Sequence, residues 1–245
     1  MRRSAKYRSL FAPALSPKAV APLGENARAL AVELIEGFRV RGECEFVSEF
    51  AQHLPIGLDR LFVYRFDRAT HALLPDDAAH PRHLALPPAS GPRHFAFSPN
   101  GRFVYLLGEL SADIHVLQWN ARSGTLAPVQ TLSTDTPDFA GTKSVAEVAV
   151  SKDGRFVYVS NRGGSMIVVY AADPRTGRLR FVERVPSGGE NPWAFAFHPD
   201  GRWMIVANQR SDNLALFRVD PATGRLIDTG QKLAVVKPVN ISFDR

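Results

Sequence analysis

Two charged residues whose spacing could support chemistry, Arg93 and Glu109, lie in the stretch G-P-R-H-F-A-F-S-P-N-G-R-F-V-Y-L-L-G-E-L. The stretch predicts a strand over 94–97, a turn at Pro99-Asn100-Gly101 and a second strand over 102–107. In a hairpin the start of the first strand lies beside the end of the second, so we expect Arg93 and Glu109 to emerge side by side. A guanidinium can hold a carboxylate or phosphate by two parallel hydrogen bonds, and an ionised carboxylate can accept a proton.

This hairpin belongs to a repeat that runs through most of the chain. It recurs at 147–163 and 193–210, and a second hairpin with a turn at His71, Gly124, Gly177 and Gly224 alternates with it at intervals of 53, 53 and 47 residues. Glycine suits such a turn because it tolerates positive φ, whereas His71 there should cost about 1 kcal/mol.

A repeat of about 50 residues made of four short antiparallel strands predicts an all-β fold, a β-propeller of four-stranded blades. We predict three full blades and a half blade, followed by a last strand. The full blades are predicted at about 93–137, 145–187 and 192–232, the half blade at 57–87 and the last strand at 238–243.

Residues 1–55 do not share the repeat and are treated as a segment separate from 56–245. Three prolines and a lack of periodicity predict a loosely ordered arm up to Leu23. Apolar residues at helical spacing predict one helix over 26–40, with Asn26 as its cap.

Composition narrows the classes of partner. A chain of 245 residues with 45% hydrophobic residues can bury a core and has no apolar run long enough to cross a membrane. Its net charge of +6 is spread singly among acidic residues, and its aromatic residues fall at strand spacing, so no nucleic-acid partner is predicted. The single cysteine, Cys44, fits a reducing compartment, and we expect a cytoplasmic location.

Two kinds of site are not supported by the motifs. The histidines lack the spacing typical of zinc sites, so we expect no metal and no cofactor. The glycine-rich stretches S-G-G-E (187–190) and R-G-G-S (162–165) precede no predicted helix, so a phosphate-cradling loop is not predicted.

Six motifs in order resemble the lactonase family of seven-bladed propellers, which includes 6-phosphogluconolactonase-type proteins and carboxymuconate cyclases. They are G-L-D-R-L-F-V-Y-R-F-D, G-P-R-H-F-A-F-S-P-N-G-R-F-V-Y, G-E-L, A-E-V-A-V-S-K-D-G-R-F-V-Y-V-S-N-R-G, A-N-Q-R-S-D-N and K-P-V-N-I-S-F, within residues 56–245. The family has about three further blades before G-L-D-R, with a histidine-containing H-x-H stretch. The resemblance therefore implies a chain truncated at its N-terminal side.

The resemblance also implies roles for individual residues. Arg93 matches the family's substrate-binding arginine, able to stabilise an oxyanion, and Glu109 matches its acid or base. A nearby arginine would lower the pKa of Glu109 and weaken it as a base. Arg162 would supply a second cation. We expect weaker, substrate-binding roles for four further residues: His94, Glu147, Asn208 and Gln209.

Two functions remain open at this point. One is hydrolysis of a sugar lactone, with 6-phosphogluconolactone as one candidate, at a very low rate because one wall of the family's cleft has no counterpart here. The alternative is an inactive propeller remnant that binds a ligand or a protein. Uncovered blade faces predict self-association or aggregation in either case, unless the helix over 26–40 caps a face.

Overall fold

The computed structural model describes residues 59–63, 65–67, 72–74 and 83–243, and every regular element within them is a β-strand. No helix among these residues is long and apolar enough to cross a membrane. The predicted arm and helix of the first 55 residues, and the turn at His71, lie outside the described residues.

Three four-stranded antiparallel sheets form the blades, each with its strands paired in chain order. The first blade contains β5 (Pro92–Phe97), β6 (Phe103–Gly108), β7 (Asp113–Asn120) and β8 (Thr125–Ser133). The second contains β9 (Val145–Val150), β10 (Phe156–Asn161), β11 (Met166–Ala172) and β12 (Leu179–Pro186). The third contains β13 (Pro192–Phe197), β14 (Trp203–Asn208), β15 (Asn213–Val219) and β16 (Leu226–Ala234). β9 lies next to both β5 and β13, so the first strand of each blade is its innermost strand.

The predicted half blade is present as two short antiparallel ladders. β1 (Arg60–Phe62) pairs with β4 (His83–Ala85), and β2 (Arg65–Asp67) pairs with β3 (Ala72–Leu74). Leu61 and Leu84 of this half blade pack against a buried cluster of the first blade, formed by Val104, Leu106 and Leu117. One face of the first blade is therefore covered in part, since Phe97 on that face is still 46% exposed.

Apolar side chains packed between neighbouring blades form the core. One cluster joins the first and second blades and includes Tyr105, Ile114 and Val159, whereas another joins the second and third and includes Tyr158 and Phe217. Each blade thus buries one face of the next, as β-branched and aromatic residues at alternating strand positions require.

The equivalence of the outer turns is confirmed. Gly124, Gly177 and Gly224 have φ of 68°, 71° and 72°, and each amide donates to the carbonyl four residues earlier at 2.8 Å. Glycine is needed at these turns because other residues rarely adopt positive φ.

The predicted last strand is wrong: residues 238–243 form no ladder. Among the described residues no other strand pairs with this segment, and an extended segment without a partner cannot complete a ladder. It is held by side chains instead, since the ring of Phe243 lies 5.4 Å from that of His198.

Candidate functional site

Three strand ends at one edge of the first two blades position the charged site. Arg93 is the second residue of β5, Glu109 directly follows β6, and Arg162 directly follows β10 of the next blade. The amide of Glu109 donates to the carbonyl of Gly91 at 2.7 Å, and the amide of Arg162 donates to that of Ser144 at 2.8 Å. The backbone therefore fixes where each side chain begins.

The carboxylate of Glu109 lies between two guanidinium groups. Nε of Arg93 is 3.3 Å from Oε2, and Nη2 of Arg162 donates to Oε1. The side chains of Arg93, Glu109 and Arg162 are only 17%, 7% and 7% exposed. The expected juxtaposition of Arg93 and Glu109 is confirmed, and Arg162 joins them from the neighbouring blade.

Two residues that the sequence analysis did not single out complete this cluster. The ring of Trp193 lies against both cations, with its centroid 4.6 Å from Cζ of Arg162 and 5.6 Å from Cζ of Arg93. The hydroxyl of Ser144 accepts from Nε and Nη2 of Arg162 at 3.0 and 2.7 Å. The repeat could have revealed Trp193, because it occupies in β13 the position that Arg93 has in β5.

Burial lowers the pKa of both arginines, whereas neighbouring charges act differently on the two. Burial, followed by the positive charges of Arg93 and Arg210, lowers the pKa of Arg162 to about 10. Burial also lowers the pKa of Arg93, partly offset by the negative charge of Glu147. Arg162 still carries its proton at neutral pH, so the cluster holds two cations against one carboxylate.

This arrangement can bind an anion and move a proton. A carboxylate offers about four lone-pair positions, and the contacts to Arg93 and Arg162 leave others free for a water molecule. Arg93 also donates through Nη1 to the carbonyl of Ala146, which uses one of its five donors. The remaining donors can stabilise negative charge that develops next to the carboxylate.

His94 and Glu147 form a second, more exposed pair beside the cluster. Nδ1 of His94 is 3.2 Å from Oε1 of Glu147, and their side chains are 45% and 26% exposed. Because Glu147 also acts electrostatically on Arg93, the pair borders the charged site.

Asn208 and Gln209 are not brought into this cluster by any contact among the described residues. Asn208 is fully buried, and its Nδ2 donates to the carbonyl of Ser187 at 2.9 Å. Gln209 accepts from Nδ2 of Asn191 at 3.0 Å. Asn208 thus holds the backbone of the loop before β13, and Gln209 pairs with a side chain of the same loop, so their substrate-binding roles stay predictions.

Among the described residues, the charged cluster of Arg93, Glu109 and Arg162 matches neither a possible metal site nor the cavity near the third blade. In the described part of the chain, no group of three or more His, Cys, Asp or Glu side chains could hold a metal ion. A cavity of about 230 Å³ lies near the turns at the other end of the strands, where Lys152, Tyr158 and His198 are among its lining residues.

Comparisons with other proteins place this geometry in a family context. A family model described as a seven-bladed lactonase β-propeller matches residues 48–243, beginning inside the segment treated above as separate. A 6-phosphogluconolactonase from Bacillus subtilis is 35% identical over 144 residues, which are 59% of this chain and 39% of that protein.

Solved structures give the same picture. The periplasmic gluconolactonase of Pseudomonas aeruginosa is 41% identical with a TM-score of 0.70, and the match covers 76% of this chain and 51% of that one. A putative 6-phosphogluconolactonase from Bacteroides fragilis is 27% identical with a TM-score of 0.67, covering 75% and 51%. The chain therefore spans between two fifths and about half the length of these relatives.

Proposed function

The chain belongs to the lactonase family of seven-bladed β-propellers, and we propose that the cluster of Arg93, Glu109 and Arg162 hydrolyses a sugar lactone. One observation carries the proposal: the buried carboxylate of Glu109, whose side chain is 7% exposed, lies between two guanidinium groups. Hydrolysis of a lactone needs a proton acceptor for water and positive charge near the carbonyl oxygen. The cluster offers both within one group of contacts.

The reaction follows from these two needs. Glu109 takes a proton from a water molecule as the water oxygen bonds to the lactone carbonyl carbon, and the carbonyl oxygen becomes an oxyanion beside Arg93. When the carbonyl forms again, the bond from carbon to the ring oxygen breaks. Glu109 returns its proton to that oxygen, which gives an open-chain hydroxy acid.

The two arginines limit as well as assist this step. The positive charges of the two arginines favour the ionised form of Glu109 and so weaken it as a base. Their charge-assisted contacts also hold the carboxylate in one orientation, which assists the reaction. We therefore propose slow turnover. The relatives named as 6-phosphogluconolactonase and gluconolactonase suggest the substrates, a phosphorylated or an unphosphorylated gluconolactone in carbohydrate metabolism.

A second candidate, binding without turnover, is favoured by the same contacts. Each carboxylate oxygen of Glu109 already contacts an arginine, as expected of a carboxylate that only orders two cations. Two cations against one carboxylate would still attract an anionic sugar acid.

Acid release in a pH-stat distinguishes the two candidates. With 6-phosphogluconolactone and glucono-lactone as substrates, we expect the chain to release acid faster than buffer alone. Calorimetry with 6-phosphogluconate and gluconate measures binding separately. Binding without any rate above the buffer contradicts hydrolysis and supports the binding module, whereas neither binding nor turnover contradicts both.

We also propose a cytoplasmic location, because the single Cys44 suits a reducing compartment. The Pseudomonas relative is described as periplasmic, so the compartment needs its own test. Cell fractionation should recover the protein with cytoplasmic markers, and recovery with periplasmic markers contradicts the proposal.

A further inference from the structure

The residue just before each innermost strand has the same backbone role in all three blades. Its carbonyl accepts from the amide just after the second strand: Glu109 to Gly91 at 2.7 Å, Arg162 to Ser144 at 2.8 Å, and Gln209 to Asn191 at 3.0 Å. The repeat therefore places one residue opposite one site-edge residue in every blade.

The residues at this position differ between the blades: two blades have a side chain that bonds to the site-edge residue, and one blade has none. In the second blade the hydroxyl of Ser144 accepts two bonds from Arg162, and in the third blade Asn191 donates to Gln209. In the first blade the position is Gly91, which has no side chain. Glu109 therefore has no side-chain partner at this position; its carboxylate contacts Arg93 of its own blade and Arg162 of the next blade.

The loop that carries Ser144 accounts for the difference between the interval from Gly124 to Gly177 and the interval from Gly177 to Gly224. Between β8 and β9 it has 11 residues, 134–144, whereas the loop between β12 and β13 has five, 187–191. The six additional residues equal the difference between the 53- and 47-residue intervals. The additional length lies next to the charged cluster, on the side where Ser144 meets Arg162.

The R-G-G-S stretch provides the surface on which this loop lies. A Cβ at Gly163 would overlap the carbonyl oxygen of Thr142 and would lie 3.3 Å from Cζ of Phe139. A Cβ at Gly164 would meet Phe139 at 4.0 Å. Glycine at 163 thus permits the close approach of the loop, and the amide of Gly163 donates to the carbonyl of Ser144 at 3.1 Å.

We propose that Ser144 is a positioning residue that fixes Arg162 against Glu109, and that Gly163 is glycine so that the loop over 134–144 can deliver Ser144. The proposal deepens the proposed function and rests on it for its catalytic consequence. Its structural part stands separately, since the hydroxyl occupies two of the five guanidinium donors of Arg162.

Three substitutions test the proposal. Ser144→Ala removes the hydroxyl, Ser144→Thr keeps it, and Ser151→Ala is the matched control. Ser151 lies at the other end of β9, where its hydroxyl donates to Asp153 at 2.7 Å. Two readouts are used: hydrogen exchange of the Arg162 Nε–H by nitrogen-15 NMR, and kcat and KM for glucono-lactone.

We expect Ser144→Ala to speed the exchange of the Arg162 Nε–H and to lower kcat about tenfold, as loss of a hydrogen bond to a charged group does. Ser144→Thr should restore both, and Ser151→Ala should change neither. Unchanged exchange in Ser144→Ala overturns the proposal whether or not the chain turns over.

The two proposals fail in different ways. If exchange is faster but the unmodified chain has no turnover, the proposed function fails and Ser144 retains only its structural role. If exchange is faster and kcat is unchanged, Arg162 does not need to be fixed for the reaction, and the catalytic part of the inference is wrong.

Discussion

Gly177→Ala should destabilise the fold much more than Gly124→Ala, although the two glycines occupy equivalent turns. Their φ angles, 71° and 68°, are nearly the same, so the backbone strain of alanine is shared and costs about 1 kcal/mol in each case. The surroundings differ. A Cβ at Gly177 would lie 2.5 Å from Cγ of Phe103, whereas at Gly124 the nearest atom is Cγ1 of Val63 at 4.0 Å.

The phenyl ring of Phe103 cannot withdraw without disturbing the packing between blades, because it is 3% exposed and belongs to the core between the first and second blades. Overpacking of this kind costs about 1–3 kcal/mol. We therefore expect Gly124→Ala to lower the free energy of unfolding by about 1 kcal/mol and Gly177→Ala by roughly 2–4 kcal/mol. Urea unfolding followed by tryptophan fluorescence measures both values. Equal losses of unfolding free energy in the two variants would show that Phe103 of the first blade does not pack against the turn at Gly177 of the second blade.

Two further predictions concern pH and association. Burial raises the pKa of Tyr105 to about 12 and raises that of Tyr158 and Tyr170 as well, so these groups contribute stability that is complete below pH 10. As the pH rises from 10 towards 12, the tyrosines of the unfolded chain lose their protons before those of the folded chain, which favours unfolding. Thermal melts should therefore show a melting temperature that falls over this range. A constant melting temperature would contradict the burial of the three tyrosines. Leu233 and Val236 are 63% and 82% exposed at the edge of the third blade, so we expect the chain to self-associate and a Leu233→Lys, Val236→Lys variant to do so less. Sedimentation velocity measures this, and a monomeric unmodified chain would contradict it.

The blades could be predicted from the sequence because their signals are local. A glycine at a turn with positive φ and alternating apolar residues act within a few residues, so the spacing of Gly124, Gly177 and Gly224 reported the repeat directly. The contact of Arg93 with Glu109 was predictable for the same reason, since one hairpin brings them together.

Contacts that cross between blades were harder to predict. Trp193 meets Arg93 and Arg162 only because three blades converge, and Ser144 reaches Arg162 through a loop whose path no repeat specifies. The last strand failed for a related reason: an inner-strand sequence at 238–243 forms a ladder only when a partner strand is present.

The most direct test of the proposed site is the initial rate of glucono-lactone hydrolysis in Glu109→Gln. This variant keeps the shape of the side chain but removes the group that would accept the proton from water. Glu183→Gln is the matched control, because Glu183 also pairs with an arginine, Arg225 at 3.2 Å, yet lies on β12. After subtraction of the rate in buffer alone, the unmodified chain and Glu183→Gln should hydrolyse the lactone equally, and Glu109→Gln should lose at least about 100-fold, within the range for a general base. Hydrolysis by Glu109→Gln at the unmodified rate would show that the chemistry lies on other residues.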